Sequence, residues 1–387
     1  MKILYLIENF LPHISGYTIY VNNLASHFSK NNEVLIVTSS DKVLPKNGTL
    51  NNYKIKRLFS LVNPFYSDTN ASYLASLKIK KIITDFQPDI IHIHDPAFIS
   101  FFGSKFAKTK HIPIIYTQHA NSTFPTNFIH DLVKGLISNL YQKFLTNFLN
   151  NNCDFIICPS KYIKDDLVNI GVKNRIKVIS NGVDLNIFKP QKITNNFIKK
   201  YNLWNDNKPI ILYVGRLEKD KNIDTLFLII KKLSFENKIN SIIIGNGEKR
   251  ELFENEFNHV SNVKLFKYID SNSYDLNLFY NYSSVFLMPS TIESQSLVTM
   301  EAMACGLPIV AFNGGALPNL VKNYKNGLLV NHNNVEEFTK IIYEIFSDKN
   351  KLSNYGKYSL DLIQKHDINK TYKQIYSIYQ KLSKKNQ

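Results

Sequence analysis

Residues 289–308 read Pro289-Ser290-Thr291-Ile292-Glu293-Ser294-Gln295-Ser296-Leu297-Val298-Thr299-Met300-Glu301-Ala302-Met303-Ala304-Cys305-Gly306-Leu307-Pro308. The apolar run just before them, Val285 to Met288, is short and unbroken, as in a strand buried on both faces of a parallel sheet. A polar loop follows, then a helix that starts near Leu297 and is ended by Gly306 and Pro308. Strand, loop and helix in this order form the unit of an open α/β fold, which binds ligands at the carboxyl ends of its strands. Free amides at the helix start suit a phosphate there. Glu293 stands in the loop and Glu301 about one turn into the helix. Two carboxylates flanking an anion site can accept hydrogen bonds from sugar and ribose hydroxyls. The same spacing also fits a surface helix with two solvated carboxylates, so it needs company.

A second unit of the same kind lies upstream, Tyr213-Val214-Gly215-Arg216-Leu217-Glu218-Lys219-Asp220-Lys221-Asn222. Gly215 lets the backbone approach a ligand closely. Arg216 and Lys221 can converge on a departing diphosphate, where two fixed cations do what a metal does elsewhere. The chain has no Asp-x-Asp pair, the usual carboxylate clamp for a metal-bound sugar nucleotide, so the expected donor site uses no metal and no cofactor.

Outward from these units the chain alternates β-rich runs with amphipathic stretches, the pattern of parallel sheets with crossover helices. In the first half, strands are expected at Lys2 to Ile7, Glu33 to Thr38, Ile90 to His94, Ile114 to Thr117, Phe155 to Cys158 and Lys177 to Ile179. Helices are expected at Tyr17 to Lys30, Ser72 to Asp85 and Phe128 to Asn150, the last with an almost unbroken apolar stripe. The turn-rich Ser180-Asn181-Gly182-Val183-Asp184 interrupts the rhythm. Strands then resume at Pro209 to Val214, Ser241 to Ile244, Val263 to Phe266, Val285 to Met288 and Pro308 to Ala311, and the chain is helical after Glu336. The expected domains are 1–185, 186–368 and a terminal helix, 369–387, returning to the first domain.

Composition narrows the function classes. Of 387 residues, 44% are apolar and 20% charged, as in globular proteins. The excess of 47 Lys+Arg over 31 Asp+Glu, a formal +16, favours phosphorylated substrates, an anionic membrane face or nucleic acid. No zinc-finger spacing or RNA-binding aromatic motif accompanies it, so no nucleic-acid partner is expected. Three cysteines, Cys153, Cys158 and Cys305, form no disulfide framework and read as reduced thiols of a cytosolic protein. No apolar run reaches the roughly 18–20 residues that span a bilayer. Met1 to Ile7 reads as a first strand rather than a signal peptide, since Glu8 and Asn9 cut it short.

Three further places can carry chemistry. The loop Phe10-Leu11-Pro12-His13-Ile14-Ser15-Gly16 follows the first strand and opens a helix, where amides meet phosphate. Gly245-Asn246-Gly247 lacks the third glycine of a dinucleotide fingerprint and reads as a tight turn. His92 and His94 alternate on one face of a strand and read as satisfied strand-end histidines, whereas His119 lies in a loop ahead of the long helix, where a side chain can face a ligand.

Taken together, these motifs resemble family 4 retaining glycosyltransferases of the GT-B fold, the group 1 glycosyltransferases, over essentially the whole chain. The resemblance rests on Glu293-x7-Glu301, on Gly215-Arg216-Leu217 with Lys221, and on Asn181-Gly182-Val183-Asp184, each after a strand. It implies an α/β architecture of two facing Rossmann-like domains with parallel sheets and a C-terminal helical segment. It implies that Arg216 and Lys221 bind the donor diphosphate, Glu293 the hydroxyls of the transferred sugar and Glu301 the ribose. It further implies that Gly16, Gly215 and the segment Ser294, Gln295, Ser296, Leu297 and Val298 approach the donor, and that Tyr268 and Ile269 contact the base. His119 is implied to lie beside sugar and acceptor, which puts His119, Arg216, Lys221 and Glu293 in the catalytic set. Three positions depart from the family pattern: Ser15 in place of the first glycine of a pair, Ser296 where a glycine is common, and Lys267 before the base-contacting loop.

The implied reaction moves a hexose from a nucleotide diphosphate sugar to an acceptor with retention of configuration. A lipid or lipid-linked glycan acceptor is expected. Ile14-Ser15-Gly16 and Glu293-Ser294-Gln295-Ser296 are similar to segments of diacylglycerol glucosyltransferases, and Phe124 and Phe128 precede the striped helix. The expected location is cytoplasmic, with peripheral contact at the inner face of an anionic membrane. An inverting transferase or sugar-nucleotide epimerase of the same fold, or a non-catalytic sugar-nucleotide binder, remains open at this point.

Overall fold

The computed structural model describes residues 1–40, 47–63, 66–123, 131–270, 274–331 and 334–384, the side chains of 63, 66–69 and 131–134 excepted. The chain divides into two compact units, Met1–Ser180 with Thr371–Gln387, and Asn181–Lys370.

The strands of the first unit are β1 (Lys2–Leu6), β2 (Glu33–Ser39), β3 (Gly48–Leu50), β4 (Tyr53–Leu58), β5 (Leu61–Asn63), β6 (Tyr66–Ala71), β7 (Ile90–Ile93), β8 (Ile114–Thr117), β9 (Phe155–Cys158) and β10 (Ile176–Val178). Eight of them form one sheet in the order β10-β9-β8-β7-β1-β2-β4-β3, while β5 and β6 pair separately. All the pairings of that sheet are parallel except β3 with β4. The four-residue strands β7, β8 and β9 are buried throughout, because helices cover both faces and leave no polar side for alternation. On one face Leu4, Leu6, Ile91 and Ile93 pack with Ile79 and Ile83 of the helix Ala75–Phe86 and with Leu145 and Leu149 of the helix Asp131–Asn152. The last helix, Ile368–Ser383, belongs to this unit from Thr371 onward. It buries Ile375, Ile378 and Tyr379, and Tyr372 stacks on His27 with ring centroids 3.8 Å apart.

The second unit contains β11 (Ile210–Val214), β12 (Asn240–Ile244), β13 (Val263–Phe266), β14 (Val285–Met288), β15 (Ile309–Phe312) and β16 (Gly327–Val330), all parallel in the order β13-β12-β11-β14-β15-β16. Alternate residues of β11 serve two cores. Leu212 and Val214 join Phe286, Met288 and Met300, whereas Ile211 and Tyr213 join Leu287, Phe338 and Ile342. The strand order reverses between β11 and β14. That switch point is where two successive loops part to opposite faces and leave a crevice at the carboxyl end of an open sheet.

Several elements differ from the sequence reading. Strands β3 to β6 and β16 and the helices Phe98–Thr109 and Lys161–Asn169 were not foreseen. The unit boundaries fall at Ser180/Asn181 and Lys370/Thr371, not at 185/186 and 368/369. The first shift has a clear cause. Val183 donates its N–H to the His366 carbonyl at 2.9 Å, and Asn181 donates to Oε1 of Gln295 at 2.7 Å, so this linker is already part of the second unit. In the helix Asp131–Asn152 Leu145, Phe148 and Leu149 are buried and Tyr141 packs beside them, while Leu136, Leu140 and Phe144 are exposed along one ridge. The first residues expected in that helix, 128–130, and Phe124 lie outside the described residues.

Candidate active site

Two loops leave the sheet of the second unit at its switch point, one after β11 and one after β14. The first is anchored by Leu217, which is fully buried and exchanges backbone hydrogen bonds with the next loop, Leu217 N–H to the Asn246 carbonyl at 2.8 Å and Lys249 N–H to the Leu217 carbonyl at 3.1 Å. These loops touch so closely that a Cβ on Gly245 would lie 1.9 Å from the Gly215 carbonyl oxygen. Glycine at 245 is thus required by loop packing, in keeping with the tight turn expected there. At Gly215 a Cβ would fall 2.7 Å from the Tyr213 hydroxyl, which donates to the Arg216 carbonyl at 2.9 Å.

With Leu217 buried, its polar neighbours are displayed. Arg216 Nη2 lies 2.6 Å from Asp220 Oδ2, and the Asp220 side chain is only 4% exposed while that of Arg216 is 46% exposed. Asp220 therefore fixes one edge of the guanidinium and leaves the rest accessible. One residue on, Lys221 Nζ donates to Glu293 Oε1 at 2.7 Å, and the Asn222 amide donates to the Pro289 carbonyl at 3.0 Å. Both contacts tie the first loop to the second.

The second loop runs from Pro289 to Ser296 into the helix Leu297–Ala304. Ser296 sits at φ 66°, in the left-handed region that favours glycine, so the serine here holds a backbone conformation that glycine adopts more readily. Among the described residues no side chain caps the helix, so its first amides remain for a ligand, beside the half-buried Leu297 and Val298. Glu293 is buried and its backbone is clamped by the loop after β15: Ala316 N–H donates to the Glu293 carbonyl at 2.7 Å. Gly315, at φ 54°, packs so tightly that a Cβ would lie 2.6 Å from that oxygen. Gln295, expected among the donor contacts, directs its side-chain oxygen to the Asn181 amide, because the linker amide needs an acceptor in this buried place. Ser294 is half-buried beside it.

Glu301 is half-buried on the helix, and Tyr280, fully buried, donates its hydroxyl to Glu301 Oε2 at 2.7 Å. Burial pushes the Glu301 carboxyl up to about 7, and the Tyr280 hydrogen bond opposes that rise. Tyr268 is exposed and Ile269 half-buried in the loop after β13.

The remaining expected residues lie in the first unit. Ser15 caps the helix Gly16–Phe28 in a reciprocal pair with Thr18, so the helix beginning at Gly16 carries its own side-chain cap. His119 follows β8, half-buried, with Nε2 3.1 Å from His94 Nδ1 and the Tyr20 ring against it at 5.2 Å. Burial lowers its pKa to about 3, which keeps the imidazole neutral. His92 is satisfied on both nitrogens, by Tyr379 and Thr117, each at 2.6 Å, whereas His94 Nε2 is buried with no partner among the described residues. Among the described residues no group of three or more His, Cys, Asp or Glu side chains is placed to hold a metal ion.

Lys221 and Glu293 are thus brought together, Arg216 is displayed from the same loop as Lys221, and Glu301 stands on the helix that the Glu293 loop enters. Sequence reasoning missed the residues that hold them. Asp220 was signalled by its i,i+4 spacing from Arg216 and Gly315 by the Gly314-Gly315 pair. Tyr280 carried no sequence signal.

Two family models match the chain, Glycosyltransferase Family 4 over residues 14–187 and Glycosyl transferases group 1 over residues 194–361. The chain is 27% identical over 363 residues to sulfoquinovosyl transferase SQD2 of Arabidopsis thaliana, covering 92% of this chain and 68% of that protein. It is 27% identical over 367 residues to the alpha-monoglucosyldiacylglycerol synthase of Acholeplasma laidlawii, covering 90% and 89%. Its fold matches that of Anabaena Alr3699/HepE in complex with UDP-glucose at a TM-score of 0.77 and 19% identity, over 98% of this chain and all (100%) of that one.

Proposed function

Since the chain belongs to the family 4, group 1 glycosyltransferases and has their GT-B fold of two Rossmann-like domains, we propose that it transfers a hexose from a nucleotide diphosphate sugar, with retention of configuration, to a membrane lipid or lipid-linked glycan. The observation that carries the donor half is the Lys221–Glu293 ion pair at the switch point of the second sheet, with Arg216 displayed from the same loop as Lys221. Arg216 and Lys221 neutralise charge developing on the departing diphosphate, and the uncapped helix at Leu297 adds backbone donors. Glu293, held by Lys221 and by Ala316, accepts from sugar hydroxyls, and Glu301 accepts from the ribose. No metal is needed for the charge balance in this reading.

In the first unit, the neutral His119 serves sugar or acceptor as a hydrogen-bonding group rather than a cation. The lipid half is supported by the two relatives whose names concern sulfoquinovosyl and glucosyldiacylglycerol transfer. It is also supported by the net +16 and the exposed ridge Leu136, Leu140 and Phe144, which together suit peripheral contact with an anionic bilayer. Among the described residues no helix is long and apolar enough to cross a membrane. The test is turnover on vesicles containing diacylglycerol, with and without anionic lipid, followed by assignment of the product anomer. Glycolipid with the donor's anomeric configuration supports the proposal. Transfer only to soluble acceptors removes the lipid half, and inverted product removes retention.

A further inference from the structure

We propose that Tyr280 is a positioning residue for the nucleotide of the donor, acting through Glu301. The proposal rests on the reading that Glu301 accepts a ribose hydroxyl. Tyr280 lies on the helix Tyr274–Tyr282 and is fully buried, its ring held between Phe188 and Phe286 at centroid distances of 5.9 Å each. Its hydroxyl has one partner among the described residues, Glu301 Oε2 at 2.7 Å. A phenol facing a carboxylate donates, so Oε2 is committed to Tyr280. Oε1 has no partner among the described residues and is the oxygen left for a ligand hydroxyl. The ring thus fixes both the carboxylate's rotation and which oxygen is offered.

The same contact governs ionisation. A ribose hydroxyl donates best to a carboxylate, and burial drives this carboxyl up to about 7 with the Tyr280 hydroxyl as the opposing influence. The titratable groups that face it are the Tyr280 phenol from the adjoining helix and the Cys305 thiol from the end of its own, both held neutral by burial. The helix Lys349–Ile363 and strands β14 and β15 also pack on the Glu301 helix, and among the described residues they bring no charged group to the carboxylate. Removing the hydroxyl therefore pushes the carboxyl further up and frees it to rotate.

The experiment measures binding of UDP and GDP and of their 2′,3′-dideoxy counterparts, between pH 6 and 9, to the wild type and to the Tyr280→Phe and Glu301→Gln variants. Expected for the wild type is about tenfold preference for the ribose form of whichever nucleotide binds, growing as pH rises through 7. Tyr280→Phe should cut that preference to about threefold or less at pH 7.5, move its rise to higher pH, and leave inorganic pyrophosphate binding unchanged. Glu301→Gln, which cannot ionise, should show no pH dependence in the preference. Full preference with an unmoved pH rise in Tyr280→Phe overturns the role of Tyr280 while leaving Glu301 its ribose. No preference in the wild type overturns the ribose reading, and this proposal with it. Should Tyr280→Phe not fold, an unaltered pH rise in Glu301→Gln overturns the proposal, because the preference then titrates on a group other than Glu301.

Discussion

Lys221 Nζ lies 2.7 Å from Glu293 Oε1, an ion pair that joins the loop after β11 to the loop after β14 across the switch point of the second sheet. The lysine is 21% and the glutamate 9% exposed, so the pair is largely shielded from water. Each partner fixes the other before any ligand arrives, and an incoming diphosphate and sugar find a cation and an acceptor already placed. Lys221→Ala or Glu293→Gln should therefore lower kcat by about 10²–10³-fold. Thermal unfolding should move by only a few degrees. Steady-state rates and melting curves on the same preparations check this, and near-wild-type rates in both variants would contradict it.

Gly315→Ala should reduce activity without replacing any charged residue. The new Cβ would press on the Glu293 backbone, and φ 54° disfavours alanine, at a cost of about 1–3 kcal/mol. Its expected signature is a lower kcat/KM alongside a melting temperature reduced to match. A fully active variant would show that the clamp on Glu293 is dispensable.

The pH profile should be set by Glu301 and not by His119. The Glu301 carboxyl is raised to about 7, so it is protonated and a poor acceptor below that pH and ionised above it. His119 is lowered to about 3 and stays neutral across the working range. The value of kcat/KM should fall on the acid side near pH 7 in the wild type and in His119→Asn, and this limb should vanish in Glu301→Gln. Its disappearance in His119→Asn instead would reverse the assignment.

Much of the site was legible because its residues sit where local rules apply. Arg216, Lys221 and Glu293 each follow a buried strand in a loop, and the strands announce themselves as short apolar runs. What escaped were contacts made across long separations. Tyr280 meets Glu301, and Ala316 meets Glu293, only because crossover helices and strand order bring them together, which no local pattern encodes. The same holds for the short strands β3, β4 and β6, whose residues are too polar to show an apolar run, for β5, which is too short to show one, and for the ridge of Leu136, Leu140 and Phe144, where an apolar stripe turns out to be exposed rather than packed.

Tyr379→Phe tests the terminal helix. The Tyr379 hydroxyl is 2.6 Å from His92 Nδ1 and 3.2 Å from the Tyr5 hydroxyl, all buried. Its removal leaves polar atoms of His92 and Tyr5 short of a partner and should destabilise the first unit by about 1–3 kcal/mol. Denaturant unfolding checks this, and an unchanged midpoint would mean that the packed rings alone hold the helix.

Chelation of divalent metal should leave most of the activity intact, since Arg216 and Lys221 supply the positive charge that a metal would bring. Initial rates in excess EDTA, then with magnesium or manganese restored, measure it. Complete and metal-reversible loss would place a cation at the phosphates.

The second unit is expected to hold a nucleotide diphosphate sugar on Arg216 and Lys221. Thermal shift of the wild type and of the Arg216→Ala and Lys221→Ala variants with a panel of such donors measures this. A ligand that binds the folded state raises the unfolding temperature by mass action. The expected result is a clear upward shift of the wild type with at least one donor and little or none for either variant. A wild type that responds to no donor, or variants that respond as strongly as the wild type, would contradict the claim.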